Sequence, residues 1–412
     1  MTNSDFIFFN NTELWAELFD ILDEKIVKNS SLVCRLVSFA SEFGLSGNIW
    51  QHWLTYELMT QENPFTLTCE RRQITADAAL FQLAAKDLDH FRELFTMDIS
   101  GKFDEGFAAM LSYTAPYEGY HMTAAGKRIA ALSKSLAEAQ DIKEFTDRIT
   151  ACYSVYGVGI YGLYKAFRVS ADGYDLRLIP ITENADVCFD DLVGLEEQKK
   201  TLKANTEAFL KGLPANNVLL YGDSGTGKST SVHALMHDYY EQGLRLVEIS
   251  KQDRRFLPQV LAAVKKRNYH FIIFLDDLSF EENESDYKEL KAMLEGALEE
   301  RSDRVLIYAT SNRRHLIREN YNDREEIRED MHTGDTVQEK LSLVSRFGVT
   351  IYFGAPTKKE FQQIVRELAK REGIAMPEEE LLLEANKWEL AHGGLSGRTA
   401  QQFIDYLLGR AL

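Results

Sequence analysis

Over residues 5 to about 156, apolar residues recur every three to four positions, as in LWAELFDILDEKIV, IWQHWLTYELM, ALFQLAAKDLDHFRELF and KRIAALSKSLAEAQ. That period predicts amphipathic helices, and a first, all-helical domain over residues 1–165. Its aromatic residues, among them Trp15, Trp50 and Trp53, fall at helical spacing and are expected to form the core of that domain.

The period then changes. AFRVSADGYDLRLIPI alternates polar and apolar residues about Asp172-Gly173 and predicts a β-hairpin, read as a linker over 166–186. From Val187, short apolar runs (NVLLY, LRLVEIS, FIIFLDD, RVLIYATSN, VTIYFGAP) alternate with helical stretches. Such alternation predicts an α/β domain over 187–356, a five-stranded parallel sheet with helices on both faces. Pro356 breaks the pattern, and the capping-box residues Thr357 and Glu360 open a helical lid of about three helices over 357–412.

Between NVLLY and the next helix lies GDSGTGKST, residues 222–230, which fits the phosphate-loop pattern GxxxxGK[ST] at Gly222, Gly227, Lys228 and Ser229. Glycines at 222, 225 and 227 let the backbone curl so that its NH groups, with those of Asp223, Ser224, Thr226 and Thr230, converge on phosphate at a helix N-terminus. Lys228 reaches the β and γ phosphates, and the Ser229 hydroxyl is suited to Mg²⁺. A glycine-rich turn with one surface lysine is the plain alternative, and the flanking strand and helix argue against it.

FIIFLDDLSF ends an apolar strand in two acids. Asp276 is the expected Mg²⁺ residue, and Asp277 the residue that orients the attacking water, with Glu281 or Glu282 as its alternative. By contrast, Gly157, Gly159 and Gly162 form GxGxxG after a helical run instead of a strand, so no dinucleotide site is expected there.

Composition adds limits. With 45% hydrophobic and 27% charged residues, the 412-residue chain reads as an ordinary globular protein. A net charge of −17 argues against general polyanion binding. The four cysteines stand far apart, without zinc or disulfide spacing. No apolar run has membrane-span length and MTNSDFIFFNN lacks signal-peptide features, so a cytoplasmic protein with no membrane partner is expected. Residues 313–339, rich in charge and without apolar periodicity, predict a long loop, solvated or in contact with a partner.

Taken in order, GDSGTGKST, FLDDLSF, TSNRRHL and EKLSLVSRFG resemble AAA+ ATPases over roughly 187–412, and more narrowly the bacterial family catalogued as domain of unknown function 815. The resemblance implies ATP or ADP with Mg²⁺, and backbone near Leu192, Val193 and Gly194 facing adenine. It further implies a polar sensor at Asn312, a trans-acting arginine at Arg346, a second sensor at Arg398 and a homo-oligomer. Two departures stand out: Asp277 replaces the usual glutamate, and SKQDRRFLPQ lacks the aromatic-apolar-glycine loop of polypeptide-threading rings. The expected function is ATP turnover coupled to remodelling or loading of a protein or nucleic-acid partner bound by the helical domain. A slow-turnover, ATP-gated scaffold is the alternative. A small-molecule kinase fits less well, because it gives Arg346 and Arg398 no role.

Overall fold

The computed structural model describes residues 6–9, 30–71, 79–97, 109–114, 121–172, 175–182, 187–278, 303–312 and 344–410. Two units are compact, Met1–Tyr164 and Lys165–Leu412.

In the first unit the described helices are α1 (Ser30–Phe43), α2 (Ile49–Thr60), α3 (Pro64–Glu70), α4 (Ala79–Thr96), α5 (Ala124–Ala137), α6 (Ile142–Tyr156) and the single turn α7 (Ile160–Leu163). Polar caps start several of them. Asn63 makes a capping box with Thr66, while the side chains of Asn48, Thr123 and Asp141 each accept a backbone NH in the first turn. Trp50 and Trp53 are buried in the core, as their spacing predicts; Trp15 and the first helical run lie outside the described residues. Burying an indole or a phenol requires a partner for its polar tip, and the core supplies one. Trp50 donates to the Leu94 carbonyl at 3.0 Å, and Tyr153 donates to the Leu58 carbonyl at 2.7 Å. The carboxylate of Asp87, itself buried, accepts the backbone NH groups of Ile7 and Phe8, fixing the segment Phe6–Phe9 against α4. The Gly157 to Gly162 stretch follows α6 and packs into this core, with Gly159 NH donating to the Met59 carbonyl.

The second unit holds β1 (Ala166–Asp172), β2 (Asp175–Pro180), α8 (Glu196–Leu210), β3 (Val218–Gly222), α9 (Lys228–Tyr239), β4 (Leu244–Glu248), α10 (Leu257–Val264), β5 (His270–Leu275), β6 (Val305–Ser311) and β7 (Val349–Phe353). Three helices follow, α11 (Lys358–Arg371), α12 (Glu378–Ala391) and α13 (Gly397–Arg410). The sheet order is β2-β1-β4-β5-β6-β3-β7. From β4 to β7 all neighbours are parallel, which gives the five expected strands. The hairpin corrects the reading of 166–186 as a connector. β1 pairs in parallel with β4, through Ala166↔Leu246 to Arg168↔Glu248, so the hairpin extends the sheet to seven strands. Strands β3, β4, β5 and β6 are buried over nearly their whole length, as befits central parallel strands covered on both faces.

Register brings the carboxyl ends of the strands into line. Leu275 pairs with Ala309, Tyr221 with Ser311 and Gly222 with Phe353. The residues just past these pairs therefore meet in one crevice. The lid has its own core, built on Phe361, Val365, Ala400, Phe403 and Ile404. Its first helix starts with the predicted capping box: Thr357 Oγ1 accepts from Glu360 NH, and the Glu360 carboxylate accepts from Thr357 NH at 2.6 Å. Those hydrogen bonds hold the Glu360 carboxyl below the ordinary range.

Candidate functional site

The phosphate loop turns out of β3 at Gly222. A Cβ there would stand 2.1 Å from the Phe353 carbonyl oxygen, and φ is 132°, so only glycine allows the loop to leave beside β7. Asp223 then ties the loop to β7 and its exit: its NH donates to the Phe353 carbonyl at 2.9 Å, and its carboxylate accepts from Ala355 NH at 2.8 Å. At Gly225, φ is 73° and a Cβ would come within 3.1 Å of Arg398 Cβ. Arg398 NH donates to the Gly225 carbonyl at 3.3 Å, so the lid rests directly on the loop. Ser224 is exposed at the loop's outer edge, Thr226 donates to the Asp223 carbonyl at 2.8 Å, and Gly227, Lys228, Ser229 and Thr230 begin or precede α9.

Lys228 is buried, with Nζ donating to the carbonyls of Gly222 at 3.2 Å and Asp223 at 2.5 Å. Burial lowers its pKa, against the opposing pull of Asp223, Asp276 and Asp277. An ammonium held by neutral carbonyls in this way is a cation with room for a stronger anionic partner.

Asp276 and Asp277 stand just beyond the end of β5. Asp276 Oδ1 accepts from two hydroxyls, Ser229 Oγ at 2.6 Å and Thr310 Oγ1 at 2.6 Å. Because the Ser229 proton is committed to Asp276, the lone pairs of that hydroxyl remain available to a cation. These are hard oxygen donors, and they suit Mg²⁺, which takes few protein ligands and keeps several waters. No group of three His, Cys, Asp or Glu capable of caging a metal occurs among the described residues. Asp277 has a left-handed backbone, φ 49°, and Asn312 Nδ2 donates to its Oδ1 at 2.8 Å. Glu281 and Glu282 lie outside the described residues, as does the 313–339 loop.

The Leu192–Gly194 segment lies beside the phosphate loop. A Cβ on Gly227 would be 3.7 Å from Leu192 Cδ2 and 3.3 Å from Leu195 Cδ1. Val193 and Gly194 are partly buried between them. Arg346 is exposed just before β7, on the short turn between the buried Val344 and Phe347.

Four contacts of the site have no motif to announce them. Thr310 bridges the acids. Arg254 donates to the carbonyls of Asp276 at 3.4 Å and Asp277 at 3.3 Å. Asp223 reaches Ala355. Arg371, on the lid helix α11, donates to the carbonyls of Asp191 at 3.0 Å and Asp190 at 2.7 Å and pairs with the Asp191 carboxylate at 3.1 Å. In YATSN, Thr310 stands two residues before Asn312, and the family resemblance nominates Asn312 alone.

A phosphate loop leaving an inner strand of a parallel sheet, acids on the strand two places away and a helical lid resting on the loop define the class, a P-loop module of the AAA+ type. Within that class the chain belongs to the family described as "Protein of unknown function (DUF815)", which it matches over residues 163–411.

Curated relatives match over smaller stretches. The replication factor C large subunit of Thermofilum pendens is 32% identical over 127 residues, which is 29% of this chain and 31% of that protein. The proteasome-activating nucleotidase of Methanothermobacter thermautotrophicus is 30% identical over 113 residues, 24% of this chain and 27% of that one. The chain thus spans less than a third of the length of these relatives. Among solved structures, the Thermotoga maritima RuvB Holliday junction branch migration motor aligns with TM-score 0.35 at 15% identity, covering 54% of this chain and 72% of that chain. The FIGL-1 AAA domain in complex with ADP aligns with TM-score 0.37 at 20% identity, covering 53% and 72%. No helix among the described residues is long and apolar enough to cross a membrane.

Proposed function

We propose that the chain binds and hydrolyses ATP with Mg²⁺, and couples turnover to the remodelling or loading of a protein or nucleic-acid partner held by the helical domain. One observation carries the enzymatic part of this reading: the hydrogen-bonded series Ser229–Asp276–Thr310 beside the pair Asp277–Asn312, at the mouth of a phosphate loop.

In this mechanism the NH groups of residues 223 to 230 cradle the phosphates, and Lys228 leaves its backbone carbonyls for the β and γ oxygens. Ser229 and Asp276 hold the metal side of the site. When bound, Mg²⁺ would neutralise charge that develops on the transferring phosphoryl group. Asp277, oriented by Asn312, positions the attacking water, and Arg398 on the lid, whose backbone rests on Gly225, stabilises the same charge. Arg346 does so for the site of a neighbouring copy. The Leu192–Gly194 segment faces the adenine. The residues of the family resemblance support each of these roles, and the partial matches to a replication factor subunit and a proteasome-activating nucleotidase fit either kind of partner.

A second reading, an ATP-gated scaffold with slow turnover, is favoured by one feature: the short acid at 277, with one oxygen already engaged by Asn312. Phosphate release under multiple-turnover conditions decides between them. Steady release that depends on Mg²⁺ supports the ATPase; tight ATP binding with release near the uncatalysed rate supports the scaffold. Capture from native lysate with the Asp277→Asn chain held in ATP then tests the partner.

A further inference from the structure

Thr310 lies at the carboxyl end of β6, opposite Leu220 of β3, and is 2% exposed. Three consecutive residues of the acidic turn bind to it. Its Oγ1 donates to Asp276 Oδ1 at 2.6 Å and accepts from Asp277 NH at 2.9 Å, and its carbonyl accepts from Leu278 NH at 2.7 Å. We infer that Thr310 is a positioning residue that ties the metal-side acid to the water-side acid, so that the two are set as one unit. The inference rests on the roles proposed above for Asp276 and Asp277.

The chemistry of the position is specific. One hydroxyl oxygen must give a proton to a carboxylate and take one from a backbone NH, which serine or threonine can do and valine, of the same shape, cannot. The NH it accepts belongs to a residue in a strained backbone: a non-glycine residue at φ 49° persists only where its surroundings fix it. Thr310 fixes the Asp277 main chain. Asn312, two residues further on and just past the end of β6, fixes its carboxylate, so the strand end and the residue after it hold the acidic turn at two points. Without the Thr310 hydroxyl, Asp277 NH loses its partner, the left-handed turn has less to hold it, and Asp276 Oδ1 keeps only Ser229 as a donor. The effect should therefore fall on Mg²⁺ use and on the chemical step, and spare the phosphate loop.

The experiment compares Thr310→Val and Thr310→Ser in the full chain, by ATP affinity without Mg²⁺, Mg²⁺ half-saturation and kcat. Thr310→Val should keep Mg²⁺-free affinity within about twofold, raise the Mg²⁺ half-saturation and lower kcat by about tenfold each, the scale of one lost hydrogen bond to a charged group. Thr310→Ser should recover most of both. In a double-mutant cycle read at saturating Mg²⁺, Thr310→Val added to Asp277→Asn should lower kcat clearly less than it does alone, since its action through Asp277 is already lost, while the raised Mg²⁺ half-saturation, which runs through Asp276, should persist. If Thr310→Val fails to show a cooperative unfolding transition, Thr310→Ser against Thr310→Ala makes the same comparison. Wild-type Mg²⁺ dependence and kcat in Thr310→Val, equal damage in Thr310→Ser, or additive losses in the cycle would overturn the inference while leaving an active wild type and the ATPase reading intact. A wild-type chain that neither binds ATP nor releases phosphate overturns the reading itself, and the inference with it.

Discussion

Asn312 donates its side-chain NH to Asp277 Oδ1 at 2.8 Å, joining the end of β6 to the acidic turn that follows β5. The two residues are 35 positions apart in the chain and meet because β5 and β6 are paired in register up to Leu275↔Ala309. Asp277→Asn should leave ATP affinity nearly unchanged and slow hydrolysis by about 10²-fold or more, the scale of a lost general base. Asn312→Ala should slow it by about tenfold, because the acid stays but loses its orientation. Steady-state phosphate release alongside equilibrium nucleotide binding checks both. A wild-type rate in Asp277→Asn, with a slowed Glu281→Gln or Glu282→Gln, moves the water-orienting role downstream.

Lys228 gives a prediction with a sign. Its folded pKa is lowered, first by burial, so in the free protein it releases its proton below the ordinary lysine value of 10.5. Bound phosphate favours the ammonium. Binding ATP at alkaline pH should therefore take up protons, and affinity should fall as pH rises through the free-state pKa, below that of an exposed lysine. Calorimetry in two buffers of different ionisation enthalpy measures the uptake. Lys228→Arg, always protonated, should abolish it. Lys228→Ala should weaken ATP binding by at least about tenfold with the fold intact, the expected cost of losing a charge-assisted contact.

Much of this site is legible along the chain because a phosphate loop is a local device. Its glycines, lysine and serine all fall within residues 222–229, and the strand and helix around it announce themselves by period. The acids are legible for a related reason, since they end an apolar run that reads as a buried strand, whereas Asn312 is picked out by the resemblance of TSNRRHL to the AAA+ sensor segment. What periodicity cannot show is which distant residues then close around them. Asp223 meets Ala355 across 132 positions, and Arg371 meets Asp190 across 181. The hairpin was visible as a hairpin, yet nothing in AFRVSADGYDLRLIPI says that its first strand pairs with β4 instead of bridging two domains. Thr310 sits inside a legible strand, but its importance comes from a register between β5 and β6 that alternation does not encode.

Arg371 links the lid to the segment proposed to face adenine. Its guanidinium holds the carbonyls of Asp190 and Asp191 and the Asp191 carboxylate, and that carboxylate in turn accepts from Cys188 NH at 2.7 Å. The Cys188 NH and thiol, and to a lesser degree the charge of Arg371, hold the Asp191 carboxyl below its ordinary range. Removing the guanidinium should loosen the Leu192–Gly194 segment while leaving the phosphate loop alone. Arg371→Ala should therefore weaken ATP and ADP binding by about tenfold and leave inorganic tripolyphosphate within about twofold, as expected for a lost charge-assisted bidentate contact that orders the base side only. Competition of the three ligands against one fluorescent nucleotide makes the comparison directly. Equal losses for all three would place the role of Arg371 in lid stability.

Arg346 makes the demand that reaches beyond a single chain. It stands exposed on the turn between Val344 and Phe347, whose buried side chains anchor that turn, and it precedes β7, the edge strand of the sheet. On the reading proposed above, this guanidinium serves a neighbour's nucleotide, where its planar, permanently charged fork suits a phosphoryl group in transfer. A trans arginine of this kind is worth about 10³ to 10⁵ in rate. ATPase activity should accordingly rise more steeply than linearly with protein concentration, and Arg346→Ala should lose activity with ATP affinity kept. Mixing Arg346→Ala with Lys228→Ala supplies the sharper measurement: each alone should lose activity for a different reason, and a mixed assembly would pair an intact nucleotide site with an intact arginine. Recovered activity in the mixture is the expected result. Specific activity that does not change with concentration in a chain shown to be monomeric by sedimentation, with no recovery on mixing, would remove both the shared site and the assembly it requires.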